Sequence, residues 1–370
     1  MKFNKWTLGL AAVGVVSLAT AARADEKVSQ LNTALSNTTI SGYVDVGAQY
    51  ENAGGAAYSL VGGSQDAITL NTVDLALDKP LDATPFSAGY HIELWTGAGG
   101  VAPAPAGTGS IVRQAYLALG TTFGGQEIDW KIGVWDTLIG YEGLTSANNP
   151  NYTHSYGFFV EPTDHTGIQG TYKINDEITV QAGIGDDQGA NSAAINGAAT
   201  GKFPLAGPTV LALVSLTAPS SWGTMSGATL SFGGTDNTQD GGAENLYAGA
   251  TIPTPLAALK FGLAYDYATV MAVAGHVNVV GVYGTYTATD KLTFNVRGEF
   301  ADQSGAAVGT LFAGCNDGEE FTATASYALW ANVLSRFEVR WDHADAAAYA
   351  EGAGFVKNAL FAGAQLIYTF

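Results

Sequence analysis

The chain reads as an all-β protein, an antiparallel transmembrane β-barrel of sixteen strands, and three features of the sequence lead there. It is 47% hydrophobic, yet after the N-terminal segment it has no apolar run long enough to cross a bilayer as a helix. Only helices and closed barrels satisfy their backbone in lipid, so the hydrophobicity is left with a barrel or a large soluble β protein. Segments that alternate charged and oily residues recur along the chain, and the links between them alternate short and long, as the two ends of a barrel require.

The N-terminal residues come first. Lys2 and Lys5 precede an apolar run from Leu8 to Ala22, followed by small residues around Ala22-Arg23-Ala24. The pattern predicts a secretory signal over 1–24, cut before Asp25. The run is 15 residues, short of the roughly 20 a spanning helix needs. Cleavage removes Lys2, Lys5 and Arg23, leaving 12 basic against 33 acidic residues and moving the formal charge from −18 to −21. A chain this acidic repels nucleic acid. Charged residues are only 13% of the whole, too dilute for a disordered acidic protein. The single cysteine, Cys315, cannot form an internal disulfide. Residues 25–38 carry Val28, Leu31 and Leu35 at helical spacing, too few turns to fold alone, and read as a periplasmic tether before a barrel over 39–370.

Strands are expected near 39–50, 67–77, 86–95, 111–120, 128–136, 163–174, 177–186 and 209–217. Eight more follow near 224–233, 244–252, 258–267, 277–288, 291–301, 320–330, 333–342 and 358–370. The clearest alternations set Arg297 and Glu299 against Val296, Gly298 and Phe300, and Arg336, Glu338, Arg340 and Asp342 against Phe337, Val339 and Trp341. His91 and Glu93 alternate in the same way with Tyr90, Ile92 and Leu94. The stretch 209–217 is so evenly apolar that its register is open. Links after even strands are turns such as Asn175-Asp176 and Ala331-Asn332, which belong on the periplasmic side, and links after odd strands are longer and external. The external loops at 51–65, 96–110 and 187–208 are rich in Gly, Ala or Asn. The last strand alternates to the end of the chain, with Tyr368 two residues before Phe370, and resembles the C-terminal signal that the barrel-assembly machinery reads.

The longest link, 137–162, is the third external loop and holds Leu138, Ile139, Tyr141, Tyr152, Tyr156, Phe158 and Phe159. Apolar residues in such number need a surface to pack on, so the loop is expected to fold inward and narrow the lumen. It is bracketed by Lys131-Ile132-Gly133-Val134-Trp135-Asp136-Thr137-Leu138-Ile139-Gly140-Tyr141-Glu142, Asn148-Asn149-Pro150, Ser155-Tyr156-Gly157-Phe158 and His165-Thr166-Gly167. Together with Ser41-Gly42-Tyr43-Val44-Asp45, this pattern resembles the outer-membrane family described as putative β-barrel porin 2, across nearly the whole mature chain; Val134-Trp135 departs from it. The resemblance implies a Gram-negative outer-membrane pore without cofactor or established solute. It implies as partners outer-membrane lipids, the assembly machinery and small hydrophilic solutes. A homotrimer follows only by analogy with other sixteen-stranded porins, since no outward face marks a seam.

Two sets of charges are candidates for the pore lining. Arg297, Arg336 and Arg340 form a basic wall, with Glu299 and Glu338 among them. Asp136, Glu142, Glu161 and Asp164 offer carboxylates from the loop side, beside Tyr141, Tyr152 and Tyr156. Facing walls of opposite sign would orient dipolar solutes; the simpler expectation is that the groups pair across a wet lumen, where exposed pairs contribute about 0–1 kcal/mol. Catalytic and metal readings are weaker. His154 and His165 share the loop region with Ser155 and Asp164 but lack ligand spacing, Gly183 to Gly189 carries two aspartates where a phosphate would sit, and Asp236, Asn237 and Asp240 lack the closing Glu of a calcium loop. The rival to a pore is a surface-binding or structural barrel with a plugged lumen.

Overall fold

Side chains of successive strand residues point to opposite faces, so a sequence that alternates Phe with Glu or Arg commits one face to lipid and the other to the interior. The computed structural model, which describes residues 37–54, 68–97, 112–185, 208–237, 243–270, 273–305, 311 and 315–370, has this arrangement. The strands are β1 (Thr39–Glu51), β2 (Ile68–Lys79), β3 (Ala88–Thr96), β4 (Val112–Phe123), β5 (Gln126–Asp136) and β6 (Asp164–Lys173). They continue as β7 (Ile178–Gly185), β8 (Thr209–Thr217), β9 (Thr229–Asn237), β10 (Ala243–Pro253), β11 (Leu259–Val270) and β12 (Val273–Thr287). The last are β13 (Leu292–Gly305), β14 (Asp317–Trp330), β15 (Val333–Ala344), β16 (Tyr349–Glu351), β17 (Gly354–Val356) and β18 (Asn358–Thr369).

Sixteen of these pair antiparallel, each with its sequence neighbour, and β1 closes the barrel on β18. The seam runs Tyr43 opposite Thr369 to Glu51 opposite Phe361, and Gly42 exchanges two backbone hydrogen bonds with Phe370. Closure leaves no edge of the sixteen-stranded sheet unpaired, which is the condition for surviving in hydrocarbon. Phe232, Phe321 and Phe337 on the outward face are each more than half exposed, while Thr322, Arg340 and Asp342 on the opposite face are sealed from solvent. A soluble sandwich has the reverse polarity; an apolar belt of this extent marks a lipid-facing surface. The β4–β5 link shows how tightly strands turn on the short-link side. Phe123 pairs with Gln126 across Gly124 and Gly125, whose φ of 60° and 84° suit the two-residue hairpin that matches strand twist.

Several boundaries differ from the sequence reading. The ninth strand was expected over 224–233 and lies at Thr229–Asn237, because Ser220–Met225 winds into 3-10 turns. Pro219 precedes them, and Gly223 and Gly227 take positive φ that extended chain does not tolerate. Strands β13 and β14 run to Gly305 and from Asp317, longer than expected, and continue paired to Asp302 opposite Asp317. The β15–β18 link contains the hairpin β16–β17, tied to the end of β1 by a bridge between Gly54 and Ala350. In β8 the register resolves with Leu211 and Leu213 inward and Val210, Val214 and Leu216 outward. The expected signal at 1–24, nearly all of the tether at 25–38, most of the loops at 51–65, 96–110 and 187–208, and Asp240 lie outside the described residues.

Candidate functional site

The loop between β5 and β6 has no strand to pair with, so its backbone must find other partners. The base closes by a hydrogen bond from Thr137 N–H to the Thr163 carbonyl (3.1 Å). Beyond it the chain lies against the polar faces of β13, β14, β15 and β18. Carboxylates on the strands accept loop amides: Glu338 accepts from Tyr152 and Thr153 (2.5 and 2.9 Å), and Glu299 from Tyr156 and Gly157 (2.6 and 3.3 Å). Guanidinium groups donate to loop carbonyls: Arg297 to Thr153 (2.8 Å), Arg340 to His154 (2.6 Å) and Arg336 to Asn149 (2.5 Å). Neutral side chains add Asn295 to the Pro150 carbonyl (2.9 Å) and Asn245 to that of Val160 (2.6 Å). The alternation of Arg and Glu along these strands is thus a template that takes the place of sheet pairing for the loop.

The loop also has internal order. Ser155 caps a short helix, α1 (Tyr156–Val160), its hydroxyl accepting from Phe158 N–H. Five residues do not hold a helix alone; here Tyr156 is sealed and its hydroxyl donates to Asp342 (2.6 Å). Glu142 accepts from Ser155 N–H (2.9 Å), sits 3.4 Å from His154 Nδ1 and pairs with Arg297 at 2.8 Å. Burial pushes the Glu142 carboxyl up, but Arg297, His154 and the Ser155 amide outweigh it and hold it at about 2. Glu161, at the far end of the loop, goes the other way: burial first, then the neighbouring Asp266 carboxyl, raises it well above the carboxylate range.

Apolar packing completes the docking. Ile139 packs with Leu213 and Tyr247, and Leu144 with Tyr43, Trp95, Phe158 and Ile367. Tyr141 stacks on Tyr283 with ring centres 4.2 Å apart. A side-chain carbon on Gly262 would collide with the Tyr141 ring, and one on Gly47 with that of Tyr152, so these glycines leave the space the two rings occupy. Tyr152 in turn accepts a hydrogen bond from Asn71 (3.0 Å).

The residues named from the sequence therefore come together, but not as two facing walls. Arg297 and Arg340 are wholly buried and Arg336 nearly so, under the loop rather than along a wet lumen. Arg297 touches Glu142 directly and also Glu320 (2.8 Å), and Arg340 pairs with Asp342 (2.8 Å). Asp136 pairs with Arg113 of β4, and Asp164, also buried, lies in the field of the same guanidinium. Of the expected loop carboxylates only Glu142 touches the expected basic wall, carried across to Arg297. Glu161 meets Asp266 instead of a cation.

Arg113, Asp266, Asn245 and Glu320 escaped the sequence reading. All four lie on inward positions, so carrying the period-two test through every strand, bulges included, would have found them. On β4 to β7 the inward chains are mixed: Tyr116, Lys131, Thr171 and Gln181 keep part of their surface open, whereas Arg113, Asp164 and Gln169 are buried. His154 stacks on Phe158 and His165 reaches Thr137, so the two histidines serve different neighbours. Among the described residues no three His, Cys, Asp or Glu side chains converge as a metal cage.

No curated protein matches the sequence. Solved structures do resemble it in fold. The outer-membrane channel DcaP of Acinetobacter baumannii aligns over 90% of this chain and 97% of its own, with a TM-score of 0.61 and 13% identity. An anion-selective porin from Comamonas acidovorans aligns over 90% and 99%, with a TM-score of 0.60 and 13% identity. OprB of Pseudomonas putida aligns over 92% and 96%, with the same score and identity. At such identity the likeness is one of fold. Residues 37–370 match the family described as "Putative beta-barrel porin-2, OmpL-like", and the chain belongs to that family of outer-membrane β-barrels.

Proposed function

We propose that the protein is a porin through which small hydrophilic solutes or ions diffuse passively, with the loop at 137–162 constricting the lumen. The observation that carries this reading is the uneven interior: the polar chains of β13–β15 are sealed beneath the loop, whereas in β4–β7 Tyr116, Lys131, Thr171 and Gln181 stay partly open, although Arg113, Asp164 and Gln169 there are buried. A loop docked on one side of a barrel leaves a channel on the other. The flow needs no cofactor. Export follows cleavage near Ala24, and the outward Tyr368 with Phe370 serves insertion by the assembly machinery. OmpT of Vibrio cholerae, similar in fold with a TM-score of 0.56, has a trimer form, which favours a homotrimer here.

The density of buried bonds between loop and wall also favours a second reading, a plugged barrel acting as a surface receptor. Swelling of proteoliposomes in a graded series of sugars separates the two. A porin admits the smaller sugars with a size cut-off, and a plugged barrel admits none.

A further inference from the structure

Among the described residues, nearly every inward cation of the barrel is committed. Arg113, Arg297 and Arg340 hold carboxylates, and Arg336 donates to Gln365 and the loop backbone. Lys131 is the exception. It lies mid-strand on the inward face of β5, opposite Ala118 of β4 and Gln169 of β6, and keeps part of its own surface open. Among the described residues no carboxylate lies within ion-pair distance of its ammonium. Its neighbour is the Tyr116 ring, whose centroid is 4.8 Å from Nζ. The other aromatic contact of Tyr116 is a stack on His91 at 5.2 Å, and His91 is flanked by Asp78 (3.2 Å) and Glu93 (3.5 Å).

The carboxylates around this point are occupied or displaced along the strand. Asp136 is taken by Arg113, Asp78 and Glu93 by His91 and Gln114, and Asp129 and Glu127 sit two and four residues toward the Gly124-Gly125 turn. At about 3.4 Å per residue, that is roughly 7 and 14 Å along β5. The acidity of the whole chain is therefore a poor guide to the field at this level, since much of it is neutralised by pairing or lies beyond about one Debye length.

We infer that Lys131, held on the Tyr116 face, is the residue that makes the channel prefer anions, offering small carboxylates and other anions a station midway along β5. The inference rests on the porin reading. An ammonium without a counter-ion in a confined aqueous path gains most by meeting a mobile anion, and the aromatic face positions it without neutralising it.

The test is the reversal potential of the full-length protein in planar bilayers under a KCl gradient. Wild type, Lys131→Gln, Lys131→Glu, Lys131→Arg and Asp129→Asn are compared, each checked for folding by heat-modifiable gel migration. Wild type is expected to pass chloride in preference to potassium. Removing one unit charge at close range shifts the ratio toward potassium by roughly fivefold, Glu reverses the preference, Arg keeps it, and Asp129→Asn moves it further toward chloride. A wild-type channel that prefers potassium, or a Gln variant with the wild-type ratio, overturns the inference while leaving a porin. Absence of any conductance in folded wild type overturns the porin reading itself, and the inference with it.

Discussion

Arg297→Met is the perturbation that bears most directly on how the loop is held. The arginine is fully buried and donates to Glu142, Glu320, Thr322 and the loop carbonyls of Thr153 and His154. Methionine keeps much of the volume but leaves Glu142 and Glu320 without their shared cation, beside Glu299, whose carboxylate lies 3.7 Å from the same guanidinium. Removing one partner of a buried pair costs about 3–5 kcal/mol. At about 1.4 kcal/mol per tenfold, this shifts the balance between docked and released loop by two to three and a half orders of magnitude. Hydrogen–deuterium exchange of the amides from Tyr152 to Gly157 reads it, since Glu338 and Glu299 protect them only while the loop is docked. Exchange should rise by a hundredfold or more, and Glu142→Gln in the same chain should recover part of the loss by removing one orphaned charge. Protection within threefold of wild type in Arg297→Met would refute the template account.

Four further outcomes follow. Glu161 has a raised carboxyl value, so its stabilising contribution is complete below the ordinary value of 4.5 and is lost as pH rises toward the folded value; the protection factors of the 158–161 amides, corrected for the intrinsic pH dependence of exchange, should fall as pH rises above 4.5 in wild type and stay flat in Glu161→Gln. Glu142 has the opposite sign, its contribution being present above 4.5 and lost only as pH falls through about 2, so the Arg297 anchor should survive at pH 4. Gly262→Val drives a side chain into the Tyr141 ring and should lower stability by about 1–3 kcal/mol, as overpacking does; thermal melts in detergent measure this, and Tyr141→Ala in the same chain should restore it. Phe321→Arg puts a charge on the outward face and should cost up to about 2–4 kcal/mol of folding into vesicles, whereas an outward face in water would tolerate it.

The barrel was legible because its strands write both faces into the sequence: Phe300 beside Glu299, or Phe337 between Arg336 and Glu338, can be read without knowing any partner. Strand β8 was not, since both of its faces are apolar for different reasons. Val210 and Val214 face outward, whereas Leu213 packs on Ile139 of the loop and Tyr247 of β10, a tertiary demand that no local period records. The start of β9 was misplaced although Pro219, Gly223 and Gly227 marked a turn, because the residues after Gly223 continue to alternate.

The site was half legible. That Arg297 and Arg340 point inward follows from their neighbours, and that an apolar loop seeks a surface follows from its tyrosines. The pairing of Glu142 with Arg297 does not, for 155 residues separate them and only the closed barrel brings them together. Helix α1 shows the same limit, since its five residues become helical only against Glu299 and Asp342.

The central claim is that a water-filled path runs beside the docked loop. Single-channel recording of the purified full-length protein in planar bilayers tests it most directly. Discrete, ohmic conductance steps, larger in Arg297→Met than in wild type, are the predicted result. Folded protein inserted in the membrane that passes no current would contradict it.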